Sequence, residues 1–298
     1  MTATTPRNGQ PPTASEAIPK PAPPVRVAVV QMCSGPDLER NLRVAERLVS
    51  EAASDGARLV LLPECFALLG PERLKLQVAE PLPEGGPILD RCRRLARESG
   101  VDVVLGGFWE RGERPDRVRN ACVHVDPTGT VRAVYRKIHL FDVDLPDGTR
   151  IAESDTIEAG PPDQAIVTET CAGPLGLSIC YDVRFPELYR ALVDRGARLL
   201  AVPAAFTLTT GKDHWHVLLR ARAIESQCWV LAAAQGGRHF GDRVSYGHAL
   251  VCDPWGTVVA EHADGDGYAI ARVDLTAVER VRRALPALAH RRIGVAVR

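Results

Sequence analysis

The sequence predicts an α/β fold, a four-layer αββα sandwich with an internal pseudo-duplication, and three observations carry that prediction. Short apolar runs alternate with amphipathic segments, the pattern occurs twice, and each amphipathic segment is apolar along one stripe only. Residues 25–32 form a β-branched run of the kind that fills a buried strand. Over residues 37–53, Leu38, Leu42, Ala45, Leu48, Val49 and Ala52 recur at helical spacing, so their side chains line one face. Residues 57–62 are apolar again, which makes the start of the fold a strand, helix, strand unit. Further one-sided seams run through Ile88, Cys92, Leu95 and Ala96, through Leu188, Ala191 and Leu192, and through Leu218, Ala221 and Ile224.

Residues 56–63, Gly-Ala-Arg-Leu-Val-Leu-Leu-Pro, return 140 positions later as Gly-Ala-Arg-Leu-Leu-Ala-Val-Pro. Residues 103–107 resemble 230–237, and the turn Asp-Pro-Thr-Gly-Thr at 126–130 returns as Asp-Pro-Trp-Gly-Thr at 253–257. Each echo alone is common punctuation; their shared order indicates two copies of one unit. Two sheets that each carry helices on one face must bury their bare faces against each other, which gives helix, sheet, sheet, helix in one domain, residues 25–298. Residues 1–24, rich in Thr, Pro, Ala and Ser, read as a disordered tail lacking the basic start and apolar core of an export signal.

Of the 298 residues 45% are apolar, and 37 basic side chains cancel 37 acidic ones. Such a chain buries a sizeable core without disulfide or metal staples and supplies no global positive field, so nucleic acid is not an expected partner. Its densest basic stretch, residues 280–283 and 290–292, reads as a charged face or subunit contact. No apolar run is long enough to span a membrane, and none is expected to. The eight cysteines contain no CxxC pair, which argues against a redox dithiol and a cysteine zinc site; without an export signal they are expected reduced in the cytoplasm. His214 and His216 lie two apart, where a helix points them to different faces, so no metal site is expected from them with His239 and His248. Neither GxxxxGK[ST] nor GxGxxG occurs, and no cofactor is expected.

Reactive groups in α/β sheets collect at the carboxyl ends of strands. Three apolar runs end in such groups: 59–62 runs into Pro63-Glu64-Cys65, 131–135 into Arg136-Lys137-Ile138-His139, and 175–179 into Cys180-Tyr181-Asp182. Cys180, between a strand and a helix expected near 185–195, is the best candidate nucleophile, because a helix N-terminus favours a thiolate. Cys33, Cys92, Cys122, Cys171, Cys228 and Cys252 are expected to fill space. Standing alone, Glu64 reads more readily as a helix-cap or turn carboxylate and Lys137 as a solvated charge.

The segments Leu61-Leu62-Pro63-Glu64, Tyr135 to Asp142 and Leu177 to Glu187 resemble, in order and separation, the Glu, Lys and Cys signatures of the carbon-nitrogen hydrolase (nitrilase) superfamily. The similarity covers roughly residues 25–293 and implies the αββα fold independently. It implies that Cys180 attacks, Glu64 is general base and later acid, Lys137 with the Tyr181 backbone N–H holds the oxyanion, and Glu153 positions the site. Residues 214–225, 232–239 and 245–249 are similar to the Nit branch, closer to its deaminated glutathione amidases than to its ω-amidases, whereas residues 139–144 are similar to the ω-amidase form. The implied reaction is hydrolysis of deaminated glutathione to α-ketoglutarate and cysteinylglycine through a thioester. α-Ketoglutaramate is the alternative substrate, and a catalytically idle oligomeric scaffold that binds a partner is the alternative of another class. Both amides carry carboxylates, which Arg184, Thr209 and Thr210 are expected to hold, with Tyr181 and Phe206 as further expected substrate-binding residues. The resemblance also implies a homo-oligomer, a dimer or higher.

Overall fold

Strand β1 (Val25–Met32) buries both its faces: Val27 and Val29 enter one apolar cluster, Ala28 and Val30 another. Alternate side chains of a strand point to opposite faces, so β1 lies between two apolar layers. The computed structural model describes residues 23–144 and 150–294; of the expected tail, residues 1–22 lie outside the described residues. Helix α1 (Leu38–Ser54) starts where the Asp37 carboxylate accepts the Arg40 N–H at 2.9 Å, and it lays Leu42, Ala45, Leu48 and Val49 on the Ala28 and Val30 side of the sheet. Strand β2 (Leu59–Leu61), helices α2 (Glu72–Val78) and α3 (Pro87–Ser99), and strands β3 (Asp102–Arg111), β4 (Val118–Val125) and β5 (Val131–Arg136) complete the first copy. β6 (Asp142–Asp144) and β7 (Arg150–Ala152) pair antiparallel beside it.

The second copy runs through β8 (Val167–Thr170), β9 (Gly173–Leu177), α4 (Pro186–Asp194), β10 (Leu199–Ala201), α5 (Leu208–Ser226), β11 (Trp229–Ala232), β12 (Ala234–Arg238), β13 (Val244–Tyr246), β14 (Ala249–Cys252) and β15 (Val258–His262). β16 (Gly267–Val273) and α6 (Leu275–Ala284) follow. In the first sheet β1, β2 and β3 are parallel, and β4 and β5 continue antiparallel; in the second, β9, β10 and β11 are parallel, and β14 and β15 continue antiparallel. The echoed Gly-Ala-Arg segments lead into β2 and β10, and the echoed Asp-Pro-x-Gly-Thr turns join β4 to β5 and β14 to β15. The duplication read from sequence is therefore one of topology. β12 and β16 both pair with β1, which ties the end of the second copy to the first sheet.

The bare faces meet as predicted: Val29, Leu61 and Val104 from one sheet share a cluster with Leu177, Leu199 and Ala201 from the other. Helices α4 and α5 cover the outer side of the second sheet through Leu188, Tyr189, Leu192, Trp215, Leu219 and Ala223. This corrects the seam expected in α5. Ile224 is 49% exposed and Leu218 and Ala221 are half-buried, while Trp215, Leu219 and Ala223 make the buried stripe. The helix carries apolar residues on two faces, so periodicity alone does not choose between them. Among the described residues, no helix is long and apolar enough to cross a membrane.

Leu61 is fully buried between the sheets, and Leu61→Ala removes contacts that neither sheet relaxes to replace. The expected cost is about 2–5 kcal/mol, seen as a lower urea midpoint with an unchanged m-value.

Candidate active site

Glu64, Lys137 and Cys180 stand just beyond the carboxyl ends of β2, β5 and β9, and the sandwich turns all three ends toward one point. Lys137 is 1% exposed, and its Nζ donates to Glu64 Oε1 at 3.1 Å and to Glu153 Oε1 and Oε2 at 3.0 and 2.8 Å. Each carboxylate is further saturated. Glu64 Oε1 accepts from Asn120 Nδ2 at 2.9 Å and Oε2 from the Ala205 N–H at 2.8 Å; Glu153 Oε2 accepts from the Phe141 N–H at 2.8 Å. Burial alone would raise the Glu64 carboxyl and lower the Lys137 ammonium. The facing charges reverse both: Lys137, with hydrogen bonds from Cys180 and the Ala205 amide, holds Glu64 below its ordinary value, and Glu153 with Glu64 holds Lys137 well above its own.

Glu64 needs space to reach this position, and β3 provides it. The β3–β4 register shifts between Leu105 and Phe108, where Gly107 has φ +65°. A Cβ on Gly107 would come within 2.5 Å of the Cys65 nitrogen and 2.8 Å of Glu64 Cγ. The glycine is required for close approach.

Cys180 opens a 3-10 turn, Cys180–Arg184, with its own φ at +48° and its N–H donating to the Pro203 carbonyl at 2.9 Å. Asp182 clamps this turn. Its carboxylate accepts from the Ile179 N–H at 2.8 Å, from Tyr135 Oη at 2.7 Å and from His139 Nδ1 at 2.7 Å, joining the turn to the end of β5. The thiol departs from the expectation that a helix N-terminus makes it a thiolate: α4 begins only at Pro186. Burial and then the Glu64 charge push the Cys180 thiol well above its ordinary value, and the opposing pull of Lys137 does not offset them. At rest the thiol is neutral beside a charged carboxylate.

A narrow slot of about 20 Å³ opens over Cys180, with Tyr181, Arg184, Phe206 and Thr210 in its walls. Arg184 stands 5.2 Å over the Phe206 ring and 3.3 Å from His214 Nδ1, and Tyr181 meets Phe141 edge-on at 4.8 Å. Thr209 is not in the slot. It is exposed on the first turn of α5, where one residue's rotation carries it away from Thr210, and Thr207 lines the wall instead. Glu64, Glu153 and Arg243 also border an adjoining cavity of about 340 Å³, whose rim adds Lys75 and Arg150. Sequence reasoning missed Arg243. Its Nε is buried without a hydrogen-bond partner, and no strand-end signal marks it, since it precedes β13 in a connection that only the tertiary fold brings here.

The carbon-nitrogen hydrolase family model matches residues 26–283. The chain is 48% identical over 270 residues to the human (Homo sapiens) deaminated glutathione amidase, covering 89% of this chain and 82% of that protein. It is 44% identical over 269 residues to a deaminated glutathione amidase of Synechocystis, covering 90% and 98%. The crystal structure of the C. elegans NitFhit protein superposes with a TM-score of 0.85 at 41% identity, covering 91% of this chain and 66% of that one.

The resting thiol yields a prediction with two opposite signs. Glu64→Gln removes the negative charge that raises the Cys180 thiol, so alkylation of Cys180 by iodoacetamide at pH 7 is expected to accelerate. If Glu64 is the proton acceptor for the thiol, amide turnover should fall about 10²- to 10⁴-fold in the same variant. Labelling rate by mass spectrometry and turnover on the same sample check both.

Proposed function

The chain belongs to the carbon-nitrogen hydrolase family and is a hydrolase of carbon–nitrogen bonds other than peptide bonds; from that premise we propose that Cys180 cleaves the amide of deaminated glutathione, releasing cysteinylglycine and then α-ketoglutarate. Glu64 takes the thiol proton as Cys180 Sγ attacks the amide carbonyl carbon. The proton neutralises one of the two carboxylates facing Lys137, which frees part of the ammonium's charge for the new oxyanion, beside the Tyr181 N–H. Glu64 then hands the proton to the leaving nitrogen, the C–N bond breaks, and a thioester remains. Water, deprotonated by Glu64, adds to the thioester; the carboxylic acid leaves and the proton returns to Cys180. Glu153 touches Lys137 and the Phe141 amide, and its part is to hold the ammonium in place.

The observation that carries this substrate is the pairing of the slot with the larger cavity across Glu64. Ammonia, the leaving group of α-ketoglutaramate, needs no second cavity, whereas cysteinylglycine does. Arg184 and Arg243 supply guanidinium groups for the substrate's carboxylates. The relatives named deaminated glutathione amidase support the same reading. Free thiols at all eight cysteines support a reducing, cytoplasmic setting.

The second apolar stripe of α5 supports a homo-oligomer. Val217 is 66%, Ile224 49% and the neighbouring Trp255 63% exposed, and they form an outward patch that a second copy would cover. Sedimentation equilibrium is expected to give a mass of at least two chains, falling to one chain in the Val217→Glu, Ile224→Glu double variant; a wild-type monomer would sink this reading.

For the substrate, kcat/KM on deaminated glutathione and on α-ketoglutaramate is compared by α-ketoglutarate release. Deaminated glutathione is expected to be preferred, with turnover lost in Cys180→Ala and KM raised about 10- to 100-fold in Arg243→Leu. Preference for α-ketoglutaramate would assign the chain to ω-amidase chemistry instead.

A further inference from the structure

We propose that His216, His248 and Glu261 form a binding site for a divalent transition-metal ion of the zinc class, separate from the catalytic group. The fold assembles the three from distant places: His216 lies in α5, His248 between β13 and β14, and Glu261 in β15. Glu261 Oε1 faces both rings, 3.0 Å from His216 Nε2 and 2.6 Å from His248 Nδ1, and the three donor atoms all lie within 4.8 Å of one another. Zinc bonds of about 2.0–2.2 Å in tetrahedral geometry set neighbouring donors roughly 3.3 Å apart, so only small side-chain rotations separate this arrangement from a coordination shell.

Two imidazoles and one carboxylate are the donor set that zinc, nickel, cobalt and copper share, and magnesium and calcium do not favour. The rings are already oriented. His248 stacks on Tyr246 with centroids 4.3 Å apart, and its carbonyl accepts from Trp215 Nε1 at 2.9 Å; His216 meets the Tyr246 ring edge-on at 6.0 Å. The side chains of His216, His248 and Glu261 are 32%, 27% and 32% exposed, enough for an ion to enter and keep a water in its fourth position. The other two histidines considered from sequence stay apart: His214 turns to Arg184, and His239 bonds the Ser34 carbonyl. On loading, each neutral ring gives the proton on its bonding nitrogen to solvent and takes one up on its other nitrogen, and metal–nitrogen and metal–oxygen bonds replace two hydrogen bonds.

The test uses untagged wild-type protein, His216→Ala and Glu261→Gln, each melted in EDTA and then with Zn²⁺. Wild-type Tm is expected to rise by roughly 5 °C at a metal concentration about 100-fold above the dissociation constant, and neither variant should show the rise. Co²⁺ on the wild type should give visible d–d bands without thiolate-to-metal absorption in the near ultraviolet. A wild-type Tm that ignores Zn²⁺, a rise of equal size in both variants, or a cobalt spectrum with thiolate absorption each overturns the proposal, the last by placing the ion on a cysteine. The cobalt spectrum needs no variant, so a poorly folded substitution does not leave the question open.

Discussion

The buried ammonium of Lys137 sets the terms for everything around it. An amine 1% exposed costs several kcal/mol unless opposite charge meets it, and two carboxylates do so at 2.8 to 3.1 Å. Two buried carboxylates then need donors of their own, and Asn120, the Ala205 amide and the Phe141 amide supply them. The group of three carries one net negative charge. Burial disfavours a thiolate there, and a thiolate would also be a second uncompensated charge, so Cys180 rests neutral although a lysine is close. In the proposed mechanism the amide substrate changes this balance, because its carbonyl oxygen takes up the electron pair while Glu64 takes the proton, and charge separation waits for substrate.

The duplicated topology explains where such a group is possible. In both copies the echoed strand, β2 or β10, is followed two residues on by a proline, Pro63 or Pro203, but one copy continues Glu64-Cys65 and the other Ala204-Ala205. The second copy contributes backbone instead of an acid: the Ala205 N–H binds Glu64, and the Pro203 carbonyl receives the Cys180 N–H. The group therefore stands on the seam between two similar halves: Glu64 and Lys137 come from the first copy, while Cys180, the Ala205 N–H that binds Glu64 and the Pro203 carbonyl that receives the Cys180 N–H come from the second. Main-chain donors lose no side-chain rotamer entropy on binding a carboxylate, which suits a position that must stay fixed through several proton transfers.

Much of this was legible in sequence for a physical reason. Glu64, Lys137 and Cys180 follow apolar strand runs directly, so strand ends place them without knowledge of any loop, and the paired echoes fixed how the two sheets face each other. What stayed hidden depends on tertiary burial or on loop path. The neutral thiol is set by desolvation and by Glu64 across the seam, and local reasoning from a helix start pointed the other way. Thr209 and Thr210 are neighbours in sequence, yet the helix begins at Leu208, and its phase separates them. Asn120 and Asp182 look like ordinary polar residues within strand and turn; only the bonds they make across the fold give them positioning roles.

Helix α5 concentrates several of these constraints in one rigid element. Its first turn puts Thr210 in the slot; Trp215 packs against Phe206 with ring centroids 5.1 Å apart and bonds the His248 carbonyl; His216 meets Glu261; Val217 and Ile224 face outward. Four surroundings therefore act on one body. A shift of the helix moves the slot wall with it, and misplacement of a reacting geometry by about 1 Å costs roughly 10²-fold in rate. The two-faced apolar pattern that defeats a reading by periodicity leaves Val217 and Ile224 outward on the same rigid body whose Trp215, Leu219 and Ala223 are buried against the second sheet.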